Sequence, residues 1–306
     1  MAKNGDSKRV LERLQVPAGK KVKLSDYSTS WEHPEKLTIN GLELIKENSR
    51  DILEDTIKDL SEVQELLWAQ NSYSILVVLQ GMDAAGKDGI IKQVMSGINP
   101  QGCRVNGFKI PSSEELDHDF MWRCYKVFPE RGMISIFNRS YYEDVLAVKV
   151  HPELLLNQHL PQEDAGKDVW EVRYHSINEF ERHIARNGTK VLKFFLYISK
   201  EEQKKRFLER MENPEKTWKF SPSDVIERQF WDQYIKAYED ALSATSTDWA
   251  PWYVIPSDHK WLARSLVAYV LTSTIESLNL SFPPPSEEYL KAIEEAKKKL
   301  DQEQGK

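Results

Sequence analysis

Residues 74–95 read SILVVLQGMDAAGKDGIIKQVM, and their reading decides the fold. Residues 75–79 are apolar throughout, the pattern of a strand buried on both faces of a parallel sheet. Residues 81–89, GMDAAGKDG, form a glycine-rich turn, and helical periodicity begins at Ile90. A strand, a glycine turn ending in Gly-Lys and a helix make the layout of a phosphate-binding loop. Such a loop turns its backbone N–H groups inward. The helix N-terminus adds partial positive charge, and Lys87 adds a full one. Gly81, four residues, Gly86 and Lys87 fit G-x-x-x-x-G-K-[ST] up to its last position. There Asp88 replaces the hydroxyl that would hold Mg²⁺, and Asp83 places a second carboxylate inside the loop. An acid in an anion site repels its ligand unless a cation intervenes. Asp83 therefore reads as a metal ligand or as an orienter of an acceptor phosphate. For Asp88 the plainer alternative is an acid capping the helix and favouring its dipole.

Outward from this motif, residues 41–70 carry an apolar stripe at helical spacing, including Leu44, Ile52, Leu60 and Leu67. Residues 1–40 read as a polar, solvated arm with basic clusters at Lys8-Arg9 and at 20–23. Short apolar strands are expected at 133–137, 190–198 and 252–255, with a further strand at 104–110. Helices are expected at 119–128, 169–186, 199–211, from a cap at Ser223 or Asp224 to about 245, at 259–278 with Asp258 as cap, and at 286–300. Residues 150–168 read as a loop. Strands alternating with helices predict a P-loop kinase-like, three-layer α/β/α sandwich with a parallel sheet. Its expected parts are an N-terminal arm and long helix (1–70), a kinase domain with a helical lid (71–282, lid about 200–224) and a charged C-terminal helix (283–306).

Composition sets the limits. A chain of 306 residues with 40% hydrophobic and 29% charged content fits a globular protein with a large core. Net charge of −6 argues against a polycation that coats DNA or RNA, so any polyanion must find a local basic groove. Two cysteines at 103 and 124 fit reduced thiols and a cytoplasmic setting. No apolar run approaches the ~20 residues that span a bilayer, and the first residues lack a secretory core. The seven histidines show no metal-ligand spacing.

Ligands of open α/β sheets gather at the carboxyl ends of strands, which directs attention to FNRSYYEDVL, 137–146. Arg139 is a fork donor suited to phosphate. Asn138 stands where many such strands end in Asp. Glu143 and Asp144 follow one turn later, and their plainer reading is as acids at a helix N-terminus. Residues 200–219 carry Lys200, Lys204, Lys205, Arg206, Arg210, Lys216 and Lys219. Ion pairs with Glu201 and Glu202 at i,i+4 account for some of these, but not for Lys216 and Lys219, which flank Trp218 beyond Pro214. Phe108, Trp122 and Trp218 can each stack on a base, and no spacing selects one.

Three blocks in this order, GMDAAGKDG, FNRSYYEDVL and EEQKKRFLERMENPEKTWKFSPSD, closely resemble the signature blocks of the polyphosphate kinase 2 family. The resemblance runs from about 21 to 256. It implies a P-loop fold with a helical lid that uses Mg²⁺ (Mn²⁺ as a substitute) and inorganic polyphosphate to phosphorylate nucleotides. It matches Asp83 and Lys87 to the family's loop acid and lysine, Arg139 to its strand-end arginine, and Arg206, Arg210 and Lys219 to basic lid residues. On this reading Asp83, Lys87, Arg139 and Glu143 carry catalysis. Ala85, Gly86, Asp88, Gly89, Lys92, Arg206, Arg210, Lys216 and Lys219 hold polyphosphate. Asp83, Glu143 and Asp144 serve the nucleotide, and Asp83 holds the metal. Glu143-Asp144 resembles the class III subgroup, which implies both AMP and ADP as acceptors with ATP as the final product. Expected partners are these ligands and further copies of the chain, as dimer or tetramer, with no nucleic acid and no membrane. The rival readings are an ATP-dependent kinase of the same fold and a nucleotide-dependent switch. The absence of an Asn-Lys-x-Asp motif counts against the second.

Overall fold

The structure is a computed structural model and describes residues 3–31, 38–161, 166 and 168–303, with side chains from Arg9 onward. The side chain of Lys8, and residues 162–165 and 167 of the expected loop, lie outside the described residues.

Five strands form one sheet: β1 (Ser74–Gly81), β2 (Cys103–Gly107), β3 (Ile134–Asn138), β4 (Thr189–Tyr197) and β5 (Trp252–Pro256). Their order is β2-β3-β1-β4-β5, and every neighbouring pair is parallel. Seven longer helices matter to the site and its support: α1 (Ser49–Gln70), α2 (Lys87–Val94), α3 (Val169–Arg186), α4 (Lys200–Glu212), α5 (Trp231–Thr245), α6 (Lys260–Glu276) and α7 (Glu287–Glu303).

The period-two alternation of each strand divides the core. Ile75, Val77 and Leu79 face one side with Phe194 and Leu196, against Leu60 and Leu67 of α1, Val94 of α2 and Leu266 and Val270 of α6. Leu76 and Val78 face the other with Phe195 and Trp252, against Ile177 of α3 and Leu242 of α5. Each such side chain contributes on the order of 1.5–3 kcal/mol by leaving water. Both faces are thus covered, as the uninterrupted apolar run of β1 requires. The result is the expected three-layer arrangement of a five-stranded parallel sheet between helices.

Several local expectations are corrected. Among the described residues before 32, the chain is not simply a solvated arm. A helix, Lys3–Leu14, packs Val10 and Leu14 into the core, and Val16 N–H donates to Trp252 O at 2.8 Å along the outer edge of β5. Few apolar residues suffice there, with Val10 and Leu14 at i,i+4 on the helix and Val16, Val22 and Leu24 buried beyond it. The segment 119–128 is helical only at Trp122–Tyr125. The loop after Val150 contains a 3-10 stretch, Pro152–Gln158. The helix expected from 224 is interrupted: Pro222–Glu227, with Ser221 at its N-cap, gives way to a 3-10 turn at Arg228–Phe230 before α5. Asp258 does not cap α6; its Oδ1 accepts from Ser199 N–H at 2.7 Å, tying the start of α4 to the end of β5. Ser199 caps α4 as expected, accepting from Glu202 N–H at 3.1 Å.

Candidate active site

The phosphate loop joins β1 to α2. Gly81 is required by crowding: a Cβ there would lie 3.0 Å from both Leu196 Cβ and Leu196 O. Gly86 takes φ 115°, a region that disfavours side chains, and turns the chain into α2. Lys87 Nζ donates to Gly81 O at 2.6 Å and Met82 O at 3.3 Å, so the ammonium lies across the strand-to-loop corner. Burial, with Arg139 nearby, lowers its pKa to about 8.

Beside this loop runs the carboxyl end of β3, because Leu79 pairs with Asn138 in parallel register. Arg139 Nη2 lies 2.8 Å from Asp83 Oδ1, and Nη1 lies 3.7 Å from Glu143 Oε2. Glu143 and then Asp83 hold the guanidinium firmly protonated against its burial. Asn138 Nδ2 donates to Asp88 Oδ1 at 2.9 Å, and Lys219 Nζ is 3.8 Å from Asp88 Oδ2. Asp88 therefore links strand end, loop and the basic stretch 200–219, and makes no side-chain cap on α2. The structure brings Asp83, Lys87, Asp88, Arg139, Glu143 and Lys219 together.

Asp144 is placed elsewhere. It is buried, with Oδ1 accepting from Gln158 Nε2 at 2.7 Å and lying 3.7 Å from Arg173 Nη1. Burial raises its pKa to about 6. Its surroundings are structural, so the expected nucleotide contact at Asp144 is withdrawn. Arg206 differs in the same way. It is buried, and its guanidinium donates to Glu202 Oε1, to the carbonyls of Ala84 and Ala85, and to those of Ser257 and Asp258. All five donors are engaged. Arg206 straps the phosphate loop to the end of β5 and leaves no N–H for polyphosphate. Gln203 adds a bond from Nε2 to Asp83 O at 3.0 Å. Arg210 is half-buried, 3.9 Å from Asp224, while Lys216, Lys219 and Lys92 are exposed.

Two cations near the loop escaped the sequence reading. Arg264 Nη2 lies 3.7 Å from where a Cβ on Gly89 would sit, and its pKa is lowered by burial and by Arg206. Lys260 pairs with Glu209 at 3.7 Å, and its pKa is lowered by burial and by Arg206. The available signal was a lone arginine in the otherwise apolar stretch of α6. Of the candidate stacking rings, Phe108 is buried against Phe137, and Trp122 stacks on His118 at 3.8 Å. Trp218 is 77% exposed. Among the described residues no group of three His, Cys, Asp or Glu side chains could hold a metal. A single carboxylate beside a phosphate loop still fits Mg²⁺, which takes one or two carboxylates and completes its shell with water and substrate phosphate.

Residues 43–283 match the sequence model of the family described as Polyphosphate kinase 2. The chain belongs to the polyphosphate kinase 2 family. It is 48% identical over 273 residues to the ADP-polyphosphate phosphotransferase of Rhodopseudomonas palustris, covering 89% of this chain and 92% of the relative. It is also 48% identical over 226 residues to the AMP/ADP-polyphosphate phosphotransferase of Meiothermus ruber, covering 74% and 80%. The crystal structure of Polyphosphate Kinase 2 from Arthrobacter aurescens TC1 superposes with a TM-score of 0.80 at 37% identity, over 90% of this chain and 92% of that one. As a polyphosphate kinase 2 family member the chain is a phosphotransferase, and its phosphate loop, strand-end arginine and basic stretch 200–219 lie within the matched region.

Proposed function

We propose that the chain transfers a phosphoryl group from inorganic polyphosphate to AMP and to ADP, giving ADP and ATP, by direct in-line displacement. The observation that carries this reading is the bridge of Arg139 between Asp83 and Glu143, set beside Lys87 at the end of the sheet. An acceptor that already carries phosphate needs no general base, so catalysis reduces to alignment and charge neutralisation. Lys87 and Arg139 cover the transferring phosphoryl. Asp83 and Glu143 line the acceptor side, with Glu143 favouring AMP, the shorter acceptor. Arg210, Lys216 and Lys219, with Lys92 and Arg264, carry the rest of the polyphosphate chain. The loop backbone at Ala85, Gly86 and Gly89 and the side chain of Asp88 border the same path.

Asp83 would hold Mg²⁺ (or Mn²⁺), which supplies neutralisation of the phosphate oxygens when bound. A cytoplasmic setting is supported by two free cysteines, and no described helix is long and apolar enough to cross a membrane. Exposed Tyr289, Leu290 and Leu300 on α7 favour assembly into a homo-oligomer, dimer or tetramer. One incubation tests the core of the reading. The purified chain with Mg²⁺, long-chain polyphosphate and AMP or ADP should form ADP and ATP. Failure with polyphosphate but turnover with ATP as donor would favour the ATP-dependent kinase instead.

A further inference from the structure

Arg139 holds a left-handed backbone, φ 65°, which costs a non-glycine residue on the order of 1–3 kcal/mol. Such a conformation persists only where its surroundings determine it. On one side the sheet does so: Arg139 N–H donates to Leu79 O at 3.0 Å. On the other side the anchor lies away from the phosphate loop, in the core. The hydroxyls of Tyr141 and Tyr142 both donate to Glu181 Oε1 of α3 at 2.9 Å. Glu181 Oε2 lies 2.6 Å from Lys193 Nζ of β4. Lys193 also donates to Tyr142 Oη at 2.9 Å and to Thr245 O at 2.7 Å. Both charges are fully buried. The Tyr142 ring is further fixed edge-on to Trp252, centroids 4.7 Å apart.

Net stability does not account for a fully buried ion pair. Removal from water opposes both charges, raising the carboxyl pKa and lowering that of the ammonium, and hydrophobic replacements are often neutral or stabilising. What the pair does have is a place. It grips Tyr141 and Tyr142, two of the three residues that lie between Arg139 and Glu143 in the chain.

We propose that Glu181 and Lys193 are positioning residues for phosphoryl transfer: by anchoring Tyr141 and Tyr142 they hold Arg139 and Glu143 in line with Asp83 and Lys87. This rests on the roles proposed above for Arg139 and Glu143. The pair touches no substrate and acts through the strained strand end.

The test uses two kinds of variant of the full chain. Tyr141→Phe with Tyr142→Phe keeps both rings and removes both hydroxyls. Glu181→Leu with Lys193→Met removes the whole pair and leaves no unpaired charge. Turnover is measured well below the melting temperature, beside that temperature itself. The expected result is a kcat loss of roughly 10–100-fold with KM for polyphosphate unchanged within about twofold, in variants that remain folded. In an Arg139→Lys background, assayed at an enzyme concentration high enough to read its rate, the Phe substitutions should add little, because both changes act on one element. A kcat within about twofold of wild type, with only the melting temperature moved, overturns the proposal. So does full additivity with Arg139→Lys. If the Leu/Met pair does not fold, the Phe variants decide alone. The underlying reading fails separately, if Arg139→Ala and Glu143→Gln in the otherwise native chain leave turnover intact.

Discussion

Arg139 Nη2 reaches Asp83 Oδ1 at 2.8 Å, joining strand end to phosphate loop across 56 residues of sequence. In this arrangement the acid neutralises the arginine, so an incoming phosphate and its cation must divide the pair between them. Removing Asp83 should therefore act on metal use. Asp83→Asn is expected to raise the Mg²⁺ concentration for half-maximal rate and to lower kcat by roughly 10²-fold or more. An unchanged Mg²⁺ titration would contradict the ligand role.

Lys87→Ala should abolish nearly all transfer, a loss of about 10³-fold or more, since a full charge beside the transferring phosphoryl disappears. Thermal stability should change little or rise slightly, because a partly buried cation is removed. Single-turnover assays with saturating polyphosphate will show whether wild-type rates survive; if they do, the site is misplaced.

The pH profile follows from the same lysine. Its pKa of about 8 lies below the usual 10.5, through burial first and Arg139 second. The free enzyme should lose kcat/KM for polyphosphate as pH rises through about 8, because the neutral amine grips phosphate poorly. Bound phosphates favour the ammonium, so the limb in kcat should lie at higher pH. Stability moves oppositely. The folded state sheds this proton more readily than the unfolded chain, so the cost of the charge is full below about 8 and eases toward 10.5. Coincident limbs in kcat and kcat/KM would count against Lys87 as the titrating group.

Glu143→Asn should reduce turnover with AMP more than with ADP. The side chain stands 3.7 Å from Arg139, on the side proposed for the acceptor, where a shorter acceptor would leave room for the carboxylate to fill. Measured kcat/KM ratios for the two acceptors decide it, and equal losses would remove Glu143 from acceptor choice.

Arg206 and Lys219 should separate cleanly. Arg206→Lys is expected to destabilise the fold by about 2–4 kcal/mol, since several buried carbonyls lose a donor and lysine cannot reproduce the fork. Lys219→Ala should leave the melting temperature alone and raise KM for polyphosphate, more at low salt than at high. If Arg206→Lys instead raised only that KM, its strapping role would be refuted.

Much of this was legible in the chain. The apolar run Ile75–Leu79, followed by two glycines and Lys87, already pointed to a buried parallel strand with a phosphate loop at its carboxyl end, because an uninterrupted apolar run suits a strand covered on both faces. The position of Arg139 next to that loop also followed, since parallel neighbours end on the same side. Local signals failed where long-range contacts decide. Nothing in the pattern Glu202 to Arg206 distinguishes a surface ion pair from a guanidinium buried among five acceptors; only the closing of α4 onto the loop and the end of β5 does. Glu143 and Asp144 are adjacent acids in the sequence. The 3-10 turn at Tyr141–Val145 sends one toward Arg139 and the other into the core beside Arg173. Lys193 is a charge inside an otherwise apolar strand, and its partner lies on α3, in Glu181, where tertiary packing alone could bring the two together. Sequence thus named most of the groups gathered at the loop, though not Arg264. Tertiary structure decided which charges stay available there, because that depends on which backbone and side-chain partners have already claimed each one.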